Sequence, residues 1–126
     1  AHSIASDAAT FPVPEMAHNV LPTMVMSSLI DRLFRKALTY LVYSTAVISA
    51  MRALSVGLVS EVVPATDLEE QVQTLCAALL KAPRPAVLGA REYARSAFTM
   101  GINGAVDFAW NLHAAINSSS EMRKAK

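Results

Sequence analysis

The strongest hydrophobic pattern in the chain lies within residues 23–43, where apolar residues recur at every fourth position. The stripe consists of Val25, Leu29, Leu33, Ala37 and Leu41. Charged and hydroxyl side chains fill the other positions, and Asp31 and Arg35 stand in the i,i+4 relation that stabilises a helix. A repeat of this kind is typical of one amphipathic helix, so the pattern predicts a single helix over residues 23–43.

The start of the chain is predicted to be extended rather than helical. Residues 3–6 and 10–13 form two short apolar segments around a turn at 7–9. Pro12 and Pro14 exclude a helix there, because proline lacks the backbone N–H and restricts the residue before it. We therefore expect two short strands joined by a turn.

The middle of the chain combines a short helix with one strand. Ser49 is predicted to cap a helix that ends at Ser55, and Gly57 to stop it in the left-handed conformation. The β-branched residues 58–63, which end at Pro64, predict a strand. A lone strand leaves its amides unpaired, so we expect its partner to be missing from this chain or supplied by a neighbour.

The carboxyl-terminal half is predicted to be helical. Three segments are expected to form helices: 67–81, 86–97 and 105–117. Thr66 and Glu69 match a capping box at the start of the first, and prolines separate the first from the second. The first helix is expected to bury Leu68, Val72, Leu75 and Leu79. The tail after Ser118 is expected to be solvated.

The composition of the chain limits the classes of function that we expect. The 126 residues are 53% hydrophobic and 17% charged, below the roughly 25% charged of ordinary soluble domains, which suggests that some apolar surface faces other protein. The formal net charge of +1 gives no indication of a nucleic-acid partner. Cys76 lies among apolar neighbours and is interpreted as a buried, reduced thiol. His2, His18 and His113 lack a metal-ligand spacing, so no metal is expected.

No membrane span and no signal peptide is expected. The uncharged stretches fall short of the roughly 20 apolar residues that a span requires, and no basic region precedes an apolar run at the start. A peripheral membrane segment built on the helix predicted over residues 23–43 remains an alternative, which liposome flotation would test.

An ordered set of motifs resembles the carboxyl-terminal half of a crotonase, a member of the enoyl-CoA hydratase/isomerase superfamily. The motifs are Ala9-Thr10-Phe11-Pro12-Val13-Pro14-Glu15, Leu21-Pro22, Ile48-Ser49-Ala50 and Gly57-Leu58-Val59. The resemblance implies an α/β crotonase-like fold, the ClpP/crotonase spiral fold, of which this chain is the mainly α-helical carboxyl-terminal part with a few short strands. Residues 1–64 would complete the core, with the long helix 23–43 and the strand 58–63, and residues 65–126 would form the carboxyl-terminal helical region.

The resemblance also implies a chemistry. Crotonases act on an acyl-CoA thioester through an enolate that backbone amides stabilise, and a carboxylate moves the proton. Glu15 stands at the position of the second glutamate of the hydratases; the first, and the two amides, would precede Ala1. Pro22 and Met24 would form part of the acyl-pocket wall. The family has glycine at Asn19 and after Pro22, so the pocket is expected to be reshaped, although asparagine tolerates the positive φ of a turn.

Two functions follow as expectations. In the first, the chain is the carboxyl-terminal part of an enoyl-CoA hydratase or isomerase of fatty acid metabolism, active only with its amino-terminal half. In the second, it is an inactive, truncated relative that serves as a structural or oligomerisation module. In either case we expect a cytoplasmic homo-trimer or hexamer with no cofactor, because the substrate itself carries coenzyme A. The acyl group and the choice between hydration and isomerisation stay open.

Overall fold

The structure is a computed structural model that describes residues 2–125. Four short strands and seven α-helices lie within these residues: β1 Ile4–Ser6, β2 Thr10–Phe11, α1 Thr23–Leu29, α2 Arg35–Ser44, β3 Ile48–Ser49, α3 Ala50–Ser55, β4 Glu61–Val63, α4 Leu68–Lys81, α5 Arg84–Ser96, α6 Ile102–Asn117 and α7 Ser120–Ala125. The chain separates between Gln73 and Thr74 into two compact units, and α4 begins in the first and ends in the second. None of the described helices is long and apolar enough to cross a membrane.

The strand near residue 60 has its partner within this chain, contrary to the expectation from the sequence. β1 and β4 pair in parallel, with Ile4 opposite Glu61 and Ser6 opposite Val63. The strand is also shorter than the predicted 58–63. Parallel pairing joins segments far apart in the sequence, and neither segment carries a local signal for the other.

A second strand pair precedes a short helix whose cap and end follow the local signals of the sequence. β2 and β3 pair antiparallel, with Thr10 opposite Ser49. The Ser49 hydroxyl accepts a hydrogen bond from the Arg52 amide at 3.1 Å and so caps α3. Gly57 follows with a φ of 84°, which is the left-handed conformation predicted for it. Both expectations are confirmed because cap and turn chemistry is local.

The prediction of a single helix over residues 23–43 is wrong. The structure has α1 and α2 instead, and the chain between them turns at residues 30–34, where Phe34 is extended with a ψ of 149°. The turn buries Leu33, which is 6% exposed, and leaves Phe34 86% exposed. Asp31 and Arg35 consequently do not share a helix, and the long amphipathic surface on which the membrane alternative was based does not exist.

The core of the first unit surrounds α2 and α3. Val42 is 1% exposed, and Ala50 and Ala53 are completely buried. The buried cluster comprises Ala5, Val13, Leu33, Leu38, Leu41, Val42, Ile48, Ala50, Ala53 and Val59. Because Val13 belongs to it, the segment that follows β2 is fixed to the core of the unit.

The start of α4 differs from the predicted capping box. A 3-10 helix, Ala65–Asp67, precedes α4, and the Thr66 hydroxyl donates to Asp67 Oδ1 at 3.2 Å. The Glu69 carboxylate accepts from Gln73 Nε2 at 3.0 Å instead of reaching back to the cap. Both side chains of the predicted box therefore have other partners.

The side chains of α4 are less buried than predicted. Leu68 and Leu75 are half-buried, while Val72 is 36% and Leu79 43% exposed. Cys76, predicted to be buried, is exposed. It follows Leu75 by one residue, which turns it about 100° around the helix axis and away from the half-buried stripe.

The last three helices pack on one another within the second unit. Gly89 of α5 is buried, and a Cβ there would lie 3.2 Å from Cγ1 of Ile116 in α6. The rings of Tyr93 and Phe108 stack with centroids 5.6 Å apart, and the Tyr93 hydroxyl donates to the Ala105 carbonyl at 3.2 Å. The close approach that Gly89 permits brings α5 and α6 together.

The helix boundaries near the end of the chain differ from the prediction. α6 begins at Ile102, three residues before the predicted start. The tail expected to be solvated contains α7, and the Ser119 hydroxyl accepts from the Met122 amide at 3.4 Å. The serine run thus ends one helix and caps the next, a capping signal that the sequence interpretation missed.

Candidate active site

Glu15 stands where the chain leaves β2 and begins a single turn of 3-10 helix, Glu15–His18. Pro14 precedes it at the cap position, and Val13 is buried at 6% exposure. The two prolines restrict the backbone before the turn, because each fixes its own φ. The position of the Glu15 backbone is therefore set by the core on one side and by the 3-10 turn on the other.

The Glu15 carboxylate is the unusual group in this region. Its Oε2 atom is shielded from solvent and has no hydrogen-bond partner among the described residues. A buried polar atom without a partner costs about 1–3 kcal/mol, and a carboxylate oxygen costs more than a neutral one. Such a group in a folded protein calls for an explanation, and a role in chemistry is one that its surroundings allow.

The turn after Glu15 is closed by backbone hydrogen bonds. Asn19 has a φ of 61° and a ψ of 31°, and the Val20 amide donates to the Glu15 carbonyl at 3.0 Å. The expectation that asparagine keeps the positive φ of this turn is confirmed. The 3-10 turn packs against α2.

The two residues predicted for the acyl-pocket wall lie in different environments. Pro22 is buried, whereas Met24, in the first turn of α1, is 81% exposed. Three further apolar side chains near Glu15 are also exposed: Met16 at 40%, Val20 at 53% and Leu21 at 66%. Clustered apolar exposure of this kind is typical of a surface that contacts a ligand or another protein segment.

The described residues contain no metal-binding cluster. No group of three or more histidine, cysteine, aspartate or glutamate side chains within residues 2–125 is arranged to hold a metal ion. His18 ends the 3-10 turn of the first unit, while the His113 ring in the second unit contacts the Asn117 amide at 2.9 Å.

The described residues have the fold of part of a crotonase, with two short strand pairs, the Glu15 turn and a helical carboxyl-terminal region. Solved structures agree with this class. The human enoyl Coenzyme A hydratase domain-containing protein 3 superposes with a TM-score of 0.91 at 20% identity, over 97% of this chain and 48% of that chain. An enoyl-CoA hydratase of Mycobacterium smegmatis gives 0.90 at 21% identity, over 96% of this chain and 47% of that chain.

The chain belongs to the enoyl-CoA hydratase/isomerase family, whose family model matches residues 2–126. No curated protein matches it in sequence. A third structure, from Thermobifida fusca YX and solved in complex with CoA, gives a TM-score of 0.82 at 23% identity, over 90% of this chain and 45% of that chain. The chain thus spans about half the length of the solved structures that it matches.

Proposed function

We propose that this chain contributes the proton-transferring carboxylate, Glu15, to an enzyme that acts on an acyl-CoA thioester through a stabilised enolate. One observation carries the proposal. In a member of this family, the carboxylate that directly follows Pro14 has a buried, unpartnered Oε2. The complex of the Thermobifida fusca protein with CoA supports a CoA thioester as the substrate class.

A comparison with three other carboxylates of the first unit supports Glu15. Asp7 accepts from the Ala65 amide at 3.2 Å, and Glu61 accepts from Gln71 at 2.9 Å. These groups are engaged in holding β4 and α4. Asp31 is exposed to solvent. Glu15 combines a shielded oxygen with an available lone pair, which is what proton transfer to and from a substrate carbon requires.

The proposed reaction needs further groups beside Glu15. An enolate forms at low cost when two backbone amides stabilise the thioester oxygen, and hydration uses a second carboxylate to activate water. Because the chain spans about half of the matched structures, we assign the activity to a longer protein in which this chain forms the carboxyl-terminal part. Pro22 and Met24 would line the acyl pocket of that protein, and the acyl-CoA would need no further cofactor.

The test compares two substitutions in that longer protein, assayed with crotonyl-CoA for hydration and a 3-enoyl-CoA for isomerisation. Glu15→Gln keeps the size of the side chain and removes its basicity, so turnover should fall by about 10²-fold or more with little change in KM. Glu92→Gln, on the exposed surface of α5, is the matched control and should retain full turnover. Full retention of both activities by Glu15→Gln would overturn the proposal.

A second candidate, a structural or oligomerisation module without activity, is favoured by the surface of the second unit. Four large apolar side chains there are mostly exposed: Leu80 at 87%, Phe98 at 87%, Ile102 at 78% and Trp110 at 71%. Apolar exposure of this extent is typical of an interface, so the chain should associate, as a trimer or hexamer in the family's manner. Multi-angle light scattering that gave a clean monomer would contradict this candidate. We place either form of the protein in the cytoplasm.

A further inference from the structure

A groove in the first unit stands apart from the candidate active site. Its volume is about 460 Å³, within the range of small-molecule sites. It lies between the start of α2 and the face of α3, and it is lined by Leu33, Phe34, Lys36, Ala37, Tyr40, Leu41, Ile48, Arg52 and Val56. Glu15, Pro22 and Met24 are not among these lining residues.

The groove is apolar in its walls and cationic in its charge. The charged side chains among its described lining residues are Lys36 and Arg52, and neither pairs with a carboxylate within residues 2–125. The Arg52 guanidinium carbon lies 5.8 Å from the centroid of the Tyr40 ring, a cation–π contact that orients the guanidinium at the groove. Two cationic side chains thus line the groove, and its described lining residues include no carboxylate.

Phe34 adds an apolar side chain to the groove that the core does not use. It is 86% exposed and occupies the cap position of α2, whose amino-terminal end adds a potential of the same sign as Lys36. Arg52 lies too far along the chain from Lys36 for any helical periodicity to associate the two. The turn at residues 30–34 and the packing of α3 bring them to one groove.

We propose that this groove binds an alkyl carboxylate, a fatty-acid-like anion. The alkyl chain lies along the apolar walls, and Lys36 and Arg52 hold the carboxylate. Charge complementarity selects an anion, because Lys36 and Arg52, both exposed to solvent, attract an anionic head group and give an uncharged apolar ligand no such attraction. Planar guanidinium and carboxylate groups match in a bidentate geometry, which favours a carboxylate as the anion. The site is separate from Glu15 and does not depend on the proposed catalytic function.

Isothermal titration of the 126-residue chain with decanoate tests the site. We expect saturable binding below the micellar concentration and about tenfold weaker binding of octanoate, because each methylene removed from water contributes to affinity. Decanol, which has the same chain without the charge, should bind at least tenfold more weakly than decanoate.

Variants separate the two parts of the site. Lys36→Gln combined with Arg52→Gln should weaken decanoate binding at least tenfold, and Phe34→Ser should weaken it several-fold. The double variant Arg91→Gln with Arg95→Gln, on the exposed surface of α5, removes the same charge elsewhere and should bind as the parent does. Glu15→Gln should also leave binding unchanged, so failure here is distinguishable from failure of the catalytic proposal. Absence of saturable binding, equal binding of decanol, or full binding by the Lys36/Arg52 double variant would each overturn the proposal.

Discussion

Thr45 ends α2 in a backbone conformation that threonine rarely adopts. Its φ is 51° and its ψ is 17°, in the left-handed region. This conformation brings Cβ close to the following carbonyl oxygen and costs about 1–2 kcal/mol for an L residue, and branching at Cβ does not relieve it. Glycine has no Cβ and occupies the region without that cost.

We therefore predict that Thr45→Gly stabilises the first unit. Relief of about 1–2 kcal/mol is offset by roughly 0.4–1 kcal/mol, because glycine gives the unfolded chain more conformational freedom. The expected net gain is about 0.5–1 kcal/mol in the free energy of unfolding. The turn itself should survive, since the hydrogen bond from the Ala46 amide to the Ser44 hydroxyl does not involve the Thr45 side chain.

Urea denaturation followed by far-UV circular dichroism measures this gain as a higher midpoint at unchanged slope. Thr45→Ala, which keeps Cβ but removes the branch, should fall between the parent and Thr45→Gly. Thr39→Gly is the matched control: Thr39 lies inside α2, where its hydroxyl donates to the Arg35 carbonyl at 3.0 Å, and glycine there should lower the midpoint. If Thr45→Gly lowers it as much as Thr39→Gly, the strain argument is wrong and the contacts of the Thr45 side chain dominate.

Two further substitutions test the core and the exposed apolar surface. Val42→Ala removes two methyl groups from a side chain that is 1% exposed, so it should lower the free energy of unfolding in urea denaturation by about 2 kcal/mol. Tyr43→Ala, at 73% exposure, should lower it far less. Equal losses would show that the core lies elsewhere. Trp110→Ser should lower the molar mass measured by light scattering, because the Trp110 side chain is 71% exposed and available to an association surface. An unchanged mass would show that Trp110 does not contribute to association.

Local chemistry explains which parts of the fold were predictable. The Ser49 cap and the positive φ of Gly57 each depend on a few adjacent residues, and the sequence pattern identified both, whereas the Asn19 turn was expected from the family resemblance. The break in the long helix was not predictable, because the four-residue spacing continues through Leu33 without interruption. Leu33 is buried in the observed turn and would also be buried on the apolar face of a continuous helix. The pattern therefore fits both structures, and tertiary packing decides between them.

The candidate site shows the same division between local and non-local information. The motif that ends in Pro14-Glu15 pointed to the glutamate, but the shielding of Oε2 depends on surrounding elements that a motif does not specify. Parallel pairing of β1 with β4 likewise carried no local signal, and the positive φ of Thr45 runs against the preference of threonine. In each case the surrounding structure imposes a conformation or an environment that the residue does not favour by itself.

The residues around Glu15 hold its backbone in place, which matters for the proposed function. A carboxylate that moves a proton must be held in one position before the substrate arrives, and flexible loops do so poorly. Here the buried Val13 anchors the chain before the carboxylate, and the hydrogen bond from the Val20 amide to the Glu15 carbonyl closes the turn after it. The backbone on both sides of Glu15 is therefore held within the first unit. The proposed reaction also requires charge stabilisation of the thioester oxygen and, for hydration, a second carboxylate. The comparison of Glu15→Gln with Glu92→Gln in the longer protein tests the role of Glu15.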